Sequence, residues 1–150
     1  MNTVKHLLPQ VPRYFKANLH THSTISDGLL TREEVKEAYK AKGYQILCLT
    51  DHNTIADHSD MNEPDLLMLT GMEVNINSPV KRDAGAQTYH LNLIAKRPDN
   101  LWSPRKVFRR FPEAAAYEDK MQCEGMDLQY GTESINAMIA KANEKGFLVM

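Results

Sequence analysis

Apolar runs alternate along the chain with polar stretches that close on glycine, a pattern that predicts strands exchanging with helices. Residues 17–22 form a first short strand. Thr31 then opens a helix, with Glu34 three residues on completing a capping box. Val35, Ala38 and Tyr39 give that helix one apolar face, and Gly43 is placed to end it. Residues 45–50 read as a strand buried on both faces. A polar loop, 51–65, leads to a third buried strand at 66–69. Residues 73–77 and 88–95 read as two extended runs joined by a long turn that contains Pro79 and Gly85. Ser103 and Pro104 have the form of an N-cap and first helical position. Residues 105–122 are expected to be helical in pieces, interrupted at Pro112. Ile135, Met138, Ile139 and Ala142 line one side of a helix over 133–145, Gly146 ends it, and residues 147–150 begin another buried strand. A chain ending on such a strand reads as cut off within a β/α fold, so one partial domain over 1–150 is expected.

Composition narrows the classes without choosing among them. A chain of 150 residues with 42% hydrophobic and 25% charged residues is long and apolar enough to fold around a core, which excludes a disordered protein. The net charge of −1 gives no general attraction to nucleic acid or to a membrane surface, so a polyanionic substrate has to be held locally. Two cysteines are too few for a disulfide framework, and Cys48, inside an apolar run, reads as a buried small hydrophobe. A reducing cytoplasm is the expected compartment. Residues 1–12 hold only Leu7-Leu8 as an apolar pair, which is neither a signal peptide nor a membrane span.

The candidate chemistry begins at His20-Thr21-His22. Side chains two apart in a strand point to one side, so two imidazoles can grip one cation there. Asp27-Gly28 follows in a tight loop. Asp51-His52 comes directly after the second strand, Glu73 after the third, and His90 lies in the fourth extended run. In parallel β/α folds functional residues gather at the C-terminal ends of the strands, so these separated motifs converge on one mouth. His90 opens its run instead of closing it. An antiparallel pairing of 73–77 with 88–95 would still place it on the face of Glu73.

His20-Thr21-His22 with Asp27-Gly28, Thr50-Asp51-His52, Gly71-x-Glu73 and His90-Leu91 resemble the early motifs of the polymerase-and-histidinol-phosphatase (PHP) family. The resemblance covers about residues 16–95 by motif. It implies an α/β fold, the first four to five strands of a distorted seven-stranded, TIM-like β/α barrel, and metal-dependent hydrolysis of a phosphate ester. Carried over by position, His20 and His22 would hold one ion with Glu73. Glu73 would bridge to a second ion held also by His90, and Asp27 and His52 would serve a third. Glu73 and His52 are the expected catalytic residues, and Asp51 is expected to orient an imidazole. The ions would be Zn, Mn or Fe, up to three in a complete domain. Neighbouring dications share phosphoryl charge and lower the pKa of a bridging water. The family's later ligands, a His after the strand that begins at Phe147 and an Asp-x-His near the barrel's end, do not occur here. The 150-residue chain is therefore expected to be an open half-barrel with a partial site and an exposed edge at 147–150.

The expected substrate is a small phosphoester or nucleotide; nucleic acid is open but not favoured, and no membrane partner is expected. Two other readings stand beside this one. An amidohydrolase-like metal hydrolase also opens with His-x-His, but Thr50-Asp51-His52 so soon after that motif counts against it. An accessory PHP module of a DNA polymerase is the other. His6 reads as exposed and His58 as part of a polar loop. Arg105, Lys106, Arg109 and Arg110 read as a solvated helix face; Lys81, Arg82 and Arg97 are ambiguous.

Overall fold

A computed structural model of the chain describes residues 14–80, 85, 87–107 and 110–150. His6, Lys81, Arg82 and Arg109 lie outside the described residues. Strand β1 (Ala17–Thr21), helix α1 (Arg32–Lys40) and strand β2 (Ile46–Leu49) occur where the pattern predicts them. The capping box forms: the Glu34 N–H donates to Thr31 Oγ1 at 3.2 Å, and the Thr31 N–H donates to Glu34 Oε2 at 2.9 Å. Helix α1 lays Val35 against Leu47, Leu49, Met61, Leu66 and Met68, a small core of its own. On its polar side Lys36 and Lys40 both pair with Glu63 and tie down the loop before the third strand.

The third strand and the extended run after it are one element, β3 (Leu67–Asn77), of 11 residues. Gly71 makes this continuity possible. A Cβ there would lie 2.5 Å from Cys48 Sγ and 2.9 Å from the Leu93 carbonyl oxygen, so the strand passes between its neighbours only without a side chain. Cys48 is fully buried, and burial pushes its thiol up to about 12, which leaves sulfur as a packing atom.

Strand β4 (Thr88–Ala95) returns antiparallel beside β3, and β7 (Phe147–Val149) pairs antiparallel with β4. The sheet order is β1-β2-β3-β4-β7, with β1, β2 and β3 parallel. This is an α/β fold on a mixed, open sheet, and among the described residues it does not close. The antiparallel return follows from the short connection between Asn77 and Thr88, which holds fewer residues than the dozen or more that a parallel crossover needs. Strand β7 is read in the sequence both as a buried strand and as an exposed edge; it lies at the edge of the sheet, with Phe147 buried and Leu148 55% exposed.

Beyond β4 the chain departs further from the helical expectation. Strands β5 (Trp102–Ser103) and β6 (Gln122–Cys123) form a small parallel pair, α2 (Ala115–Glu118) is one turn, and only α3 (Thr132–Glu144) is a long helix. Ser103 caps no helix. Its hydroxyl donates to the Arg105 carbonyl at 2.6 Å and closes a local turn. Arg105 and Arg110 therefore share no helix face. Val107, Ala114, Met121 and Leu128 join Ile135, Met138 and Ala142 of α3 over Met72, Val74, Ile76, Leu93 and Phe147. Burial of these spaced apolar residues, rather than helix propensity, shapes the segment.

Ile55, Ala56 and Met61 turn the loop after β2 inward, and His58 is buried with them, only 2% exposed, not part of a solvated loop. Its Nδ1 has no hydrogen-bond partner, and burial with Arg32 nearby pulls its pKa down to about 4. Between the unfolded value near 6.5 and about 4, the unfolded chain takes up a proton that the folded one refuses, so acid favours unfolding in that window. Urea denaturation at about pH 7 and about pH 4.5 should show the natural chain losing roughly 2–3 kcal/mol more than His58→Gln. Equal losses would show that His58 does not carry the acid sensitivity. None of the helices among the described residues is long and apolar enough to cross a membrane.

Candidate metal centre

Glu73 sits in the middle of β3 and is 1% exposed, and imidazoles surround its carboxylate. His90 Nδ1 lies 2.6 Å from Oε1 and His20 Nε2 lies 3.9 Å from it. His52 Nδ1 and His22 Nε2 lie 2.7 and 3.2 Å from Oε2. Asp27 completes the set from the other side, with Oδ1 at 2.6 Å from His22 Nδ1 and Oδ2 at 3.3 Å from His52 Nε2. All six residues singled out in the sequence as metal ligands thus meet at one place.

The elements explain the convergence. His20 and His22 lie on one side of β1 and just past it, with ring centroids 5.0 Å apart. His52 follows β2 and pairs with Glu73 as a one-residue parallel bridge, so the chain after β2 continues alongside β3. In the β3–β4 register Glu73 opposes Asn92 and Asn75 opposes His90; a two-residue offset keeps the face, and His90 reaches Glu73 diagonally. The expectation for an antiparallel pairing therefore holds.

Asp51 plays a different part from the one expected. Its buried carboxylate accepts from the Ser23 N–H at 2.9 Å, the Ser23 hydroxyl at 2.8 Å and the Ser26 hydroxyl at 2.6 Å. It fastens the loop that presents Asp27, and orients no imidazole by a hydrogen bond. Burial pushes its own carboxyl up against the pull of those donors. The partner of an imidazole is instead Thr50, whose Oγ1 lies 2.7 Å from His20 Nδ1; a proton on Nδ1 donated there leaves the Nε2 lone pair toward Glu73. Asn53 adopts a left-handed φ of 48°, and its N–H donates to the Glu73 carbonyl at 2.7 Å, which fixes the bridge.

Sequence reasoning does not single out Thr50, Asn53 and Asn75 as site residues. For Asn75 a signal exists: Glu73, Asn75 and Asn77 are polar at alternate positions while Met72, Val74 and Ile76 are apolar, which marks one polar face of a buried strand. Phe111 stacks nearly parallel on His52 with centroids 6.3 Å apart, and the Arg110 guanidinium lies over the Phe111 ring at 4.7 Å. Asp27, His52 and His90 open onto a cavity of about 370 Å³, lined further by Asn77, Thr88 and Arg110. The apolar cleft beside Phe15 and Leu67 lies at the opposite, N-terminal ends of the strands.

The donor set fits a divalent cation. His22 Nε2, His52 Nδ1 and Glu73 Oε2 are buried and crowded together, but none makes a well-directed hydrogen bond. Buried nitrogen and oxygen atoms left so are costly unless something else takes their lone pairs. His20, His22 and Glu73 offer one group of ligand atoms within 4.8 Å of one another, and His22, Asp27 and His52 offer a second. Without an ion, charge within the cluster compensates: burial works against it, but Glu73 and Asp27 push His22 up to about 9. Burial likewise opposes ionisation of Glu73, yet contacts with His22 and His52 hold its carboxyl far below the usual range. A cation entering here would displace protons from imidazoles whose pKa the carboxylates raise.

The chain is similar to known proteins over the stretch that builds this site. The model of the PHP domain matches residues 18–104, more than half of the chain and the stretch that carries four of the five strands of the main sheet. The chain is 39% identical over 142 residues to a protein of Haemophilus influenzae named 5'-3' exoribonuclease, covering 89% of this chain and 50% of that protein. It is 50% identical over 38 residues to the DNA polymerase/3'-5' exonuclease PolX of Bacillus subtilis, covering 25% of this chain and 7% of PolX. A solved structure of an amidohydrolase from Chromobacterium violaceum, with bound sulfate and no metal, superposes at a TM-score of 0.43 with 28% identity, over 55% of this chain and 28% of the other. The chain spans half the length of the first of these relatives. With a family match across His20, His22, Asp27, His52, Glu73 and His90, the chain belongs to the PHP domain family.

Proposed function

We propose that this chain carries the metal-binding part of a phosphoesterase that cleaves a phosphate ester with metal-activated water. The observation behind this reading is the buried Glu73 carboxylate, ringed by four imidazoles, with Oε2, His22 Nε2 and His52 Nδ1 left without a hydrogen-bond partner. In this assignment His20, His22 and Glu73 hold one ion, Glu73 and His90 share a second, and Asp27 and His52 serve a third. Zn, Mn or Fe suits nitrogen and carboxylate donors without thiolate. Bound there, such ions supply Lewis acidity and lower the pKa of water.

The chain's own residues set the rest. Thr50 turns His20, Asp51 holds the loop of Asp27, and the Asn53 N–H fixes β3 beside His52. Phe111 shields one face of His52 from water. The cavity beyond His90 offers amide and hydroxyl groups from Asn77 and Thr88 and the Arg110 cation, suited to a phosphate and a polar ester group more than to an apolar amide. The names of the H. influenzae and B. subtilis relatives favour nucleotide phosphoesters, including RNA ends, within that class. The open sheet is compatible with the first part of a distorted seven-stranded barrel in the cytoplasm, whose remaining strands would complete the ligand set.

The test is turnover by the whole protein, metal-loaded, on p-nitrophenyl phosphate, mononucleotides and 5'-phosphorylated oligoribonucleotides. Release of phosphate or nucleotide should vanish with chelator and fall by roughly two to three decades in His20→Ala, the loss of several kcal/mol of electrostatic stabilisation. A metal-loaded protein inert to the whole panel, or a His20→Ala variant of full activity, would reverse this conclusion.

A further inference from the structure

Asn75 is a buried amide, 7% exposed, directly opposite His90 in the β3–β4 pairing. Its backbone is held from both sides: the Asn75 N–H donates to Asn53 Oδ1 at 3.4 Å, and its carbonyl accepts from Arg105 Nη1 at 2.7 Å. The side chain is thereby fixed against the imidazole, with Nδ2 at 3.2 Å from His90 Nε2. Its other end, Oδ1, is buried without a hydrogen-bond partner. A buried amide with one end used and the other orphaned is an uncommon arrangement in a folded protein.

The imidazole shows what the second end is for. His90 Nδ1 is the nitrogen that faces Glu73, at 2.6 Å from Oε1. An amide nitrogen can only donate, so in the arrangement seen here Nε2 accepts from Asn75 Nδ2–H, which is the tautomer with its N–H on Nδ1, toward Glu73. A ring nitrogen that binds a cation must present a lone pair, so an ion at Nδ1 moves the proton to Nε2. That N–H then faces the amide, and a half-turn about the terminal side-chain bond of Asn75 brings Oδ1 to it. The two ends of an amide differ little in size, so the half-turn needs no repacking, and it gives Oδ1 the partner it lacks.

We propose that Asn75 is the positioning residue of His90, its side-chain carbonyl accepting the Nε2 proton whenever Nδ1 carries an ion. This rests on the assignment of Glu73 and His90 to a shared ion. An amide serves both states, because it donates to Nε2 in the ion-free state and accepts from it in the loaded one. A carboxylate could only accept, so it would serve the loaded state alone and, in the ion-free one, add a buried charge next to Glu73.

Two measurements on the whole chain test it. Calorimetric zinc titration should show Asn75→Leu, of similar volume but unable to hydrogen-bond, weakening zinc binding by roughly 10–100-fold, while Asn75→Asp, an obligate acceptor, stays within about threefold of the natural chain. A role in packing alone predicts the opposite order, with leucine tolerated better than aspartate, and that order would overturn the proposal. Nitrogen NMR of the His90 ring in the unsubstituted chain is the second readout. Zinc should move the ring proton from Nδ1 to Nε2; a loaded ring still protonated at Nδ1 overturns the proposal even if the variants misfold. His90→Ala separates the levels. If it binds zinc as tightly as the natural chain, the ion assignment falls and the role of Asn75 with it; if it binds weakly while Asn75→Leu does not, only the role of Asn75 falls.

Discussion

Glu73→Gln should cut zinc affinity, and the phosphoester turnover proposed for the whole protein, by about a thousandfold or more, the equivalent of roughly 4 kcal/mol at each. The substitution keeps the volume of a side chain that is 1% exposed, so packing is preserved and chemistry alone is changed. Both carboxylate oxygens are engaged, Oε1 toward His20 and His90 and Oε2 toward His22 and His52. A glutamine presents an NH₂ group to one of these pairs, which cannot ligate a cation, and it removes the negative charge that offsets repulsion between neighbouring ions. Calorimetry and initial rates measure the two effects. A Glu73→Gln variant that binds zinc like the natural chain would remove Glu73 from the centre. In the ion-free protein the same change acts through His22, whose pKa Glu73 and Asp27 raise to about 9 against the effect of burial. The raised His22 pKa stabilises fully below the unfolded value near 6.5 and fades as pH rises through about 9, while the lowered Glu73 pKa stabilises above its unfolded value near 4.5 and fades in acid, so the loss of stability in ion-free Glu73→Gln should be largest between about pH 4.5 and 6.5.

What the sequence made legible was whatever depends on neighbours along the chain. The Thr31–Glu34 box, the two-residue spacing of His20 and His22, and the buried run of β2 need only local geometry, and each occurs as read. That the six candidates meet was legible from strand ends for His20, His22 and His52, and from the antiparallel pairing for Glu73 and His90, although Glu73 lies within β3 instead of at its end. The roles of Asp51, Thr50 and Asn75 were not, because each depends on which strand lies beside it. Asp51 reaches a loop 25 to 28 residues away, and Thr50 reaches an imidazole 30 residues away. The joining of residues 66–69 and 73–77 into one strand depended on Gly71 meeting Cys48 and Leu93 across two neighbours, a three-strand property that a glycine in one strand does not announce. The segment after β5 misled for a related reason. Its basic residues carry a helical spacing, but Val107, Ala114, Met121 and Leu128 are drawn into the core beneath α3, and burial of apolar area outweighs a propensity of tenths of a kcal/mol per residue.

Gly28→Ala should disrupt the centre as severely as loss of a ligand, although Gly28 touches no cation donor through a side chain. The loop after β1 folds back on itself: the Gly28 N–H donates to the Ser23 carbonyl at 2.9 Å, and the Thr24 N–H donates to the Leu30 carbonyl at 2.9 Å. A Cβ at position 28 would lie 2.5 Å from the His22 carbonyl oxygen, 2.6 Å from the His22 carbonyl carbon and 2.8 Å from that of Ser23. All three are backbone atoms between a candidate ligand and its loop, so no side chain can swing aside to relieve the clash. Either His22 moves or the loop lifts, and Asp27, at 2.6 Å from His22 Nδ1, loses its place in the group with His22 and His52. Asp51 resists the lift through its three hydrogen bonds to Ser23 and Ser26, so strain is driven toward His22. The expected cost is about 1–3 kcal/mol of folding stability from overpacking, with zinc affinity lower by roughly 100-fold. Gly43→Ala is the control. With a φ of +75° and no atom within 4 Å of an added Cβ, it should cost about 1 kcal/mol through backbone strain alone and leave zinc binding unchanged. Denaturation midpoints and zinc titrations of the two variants separate the outcomes. Zinc affinity lost equally in both would mean that general destabilisation, not displacement of His22 from Asp27, empties the site.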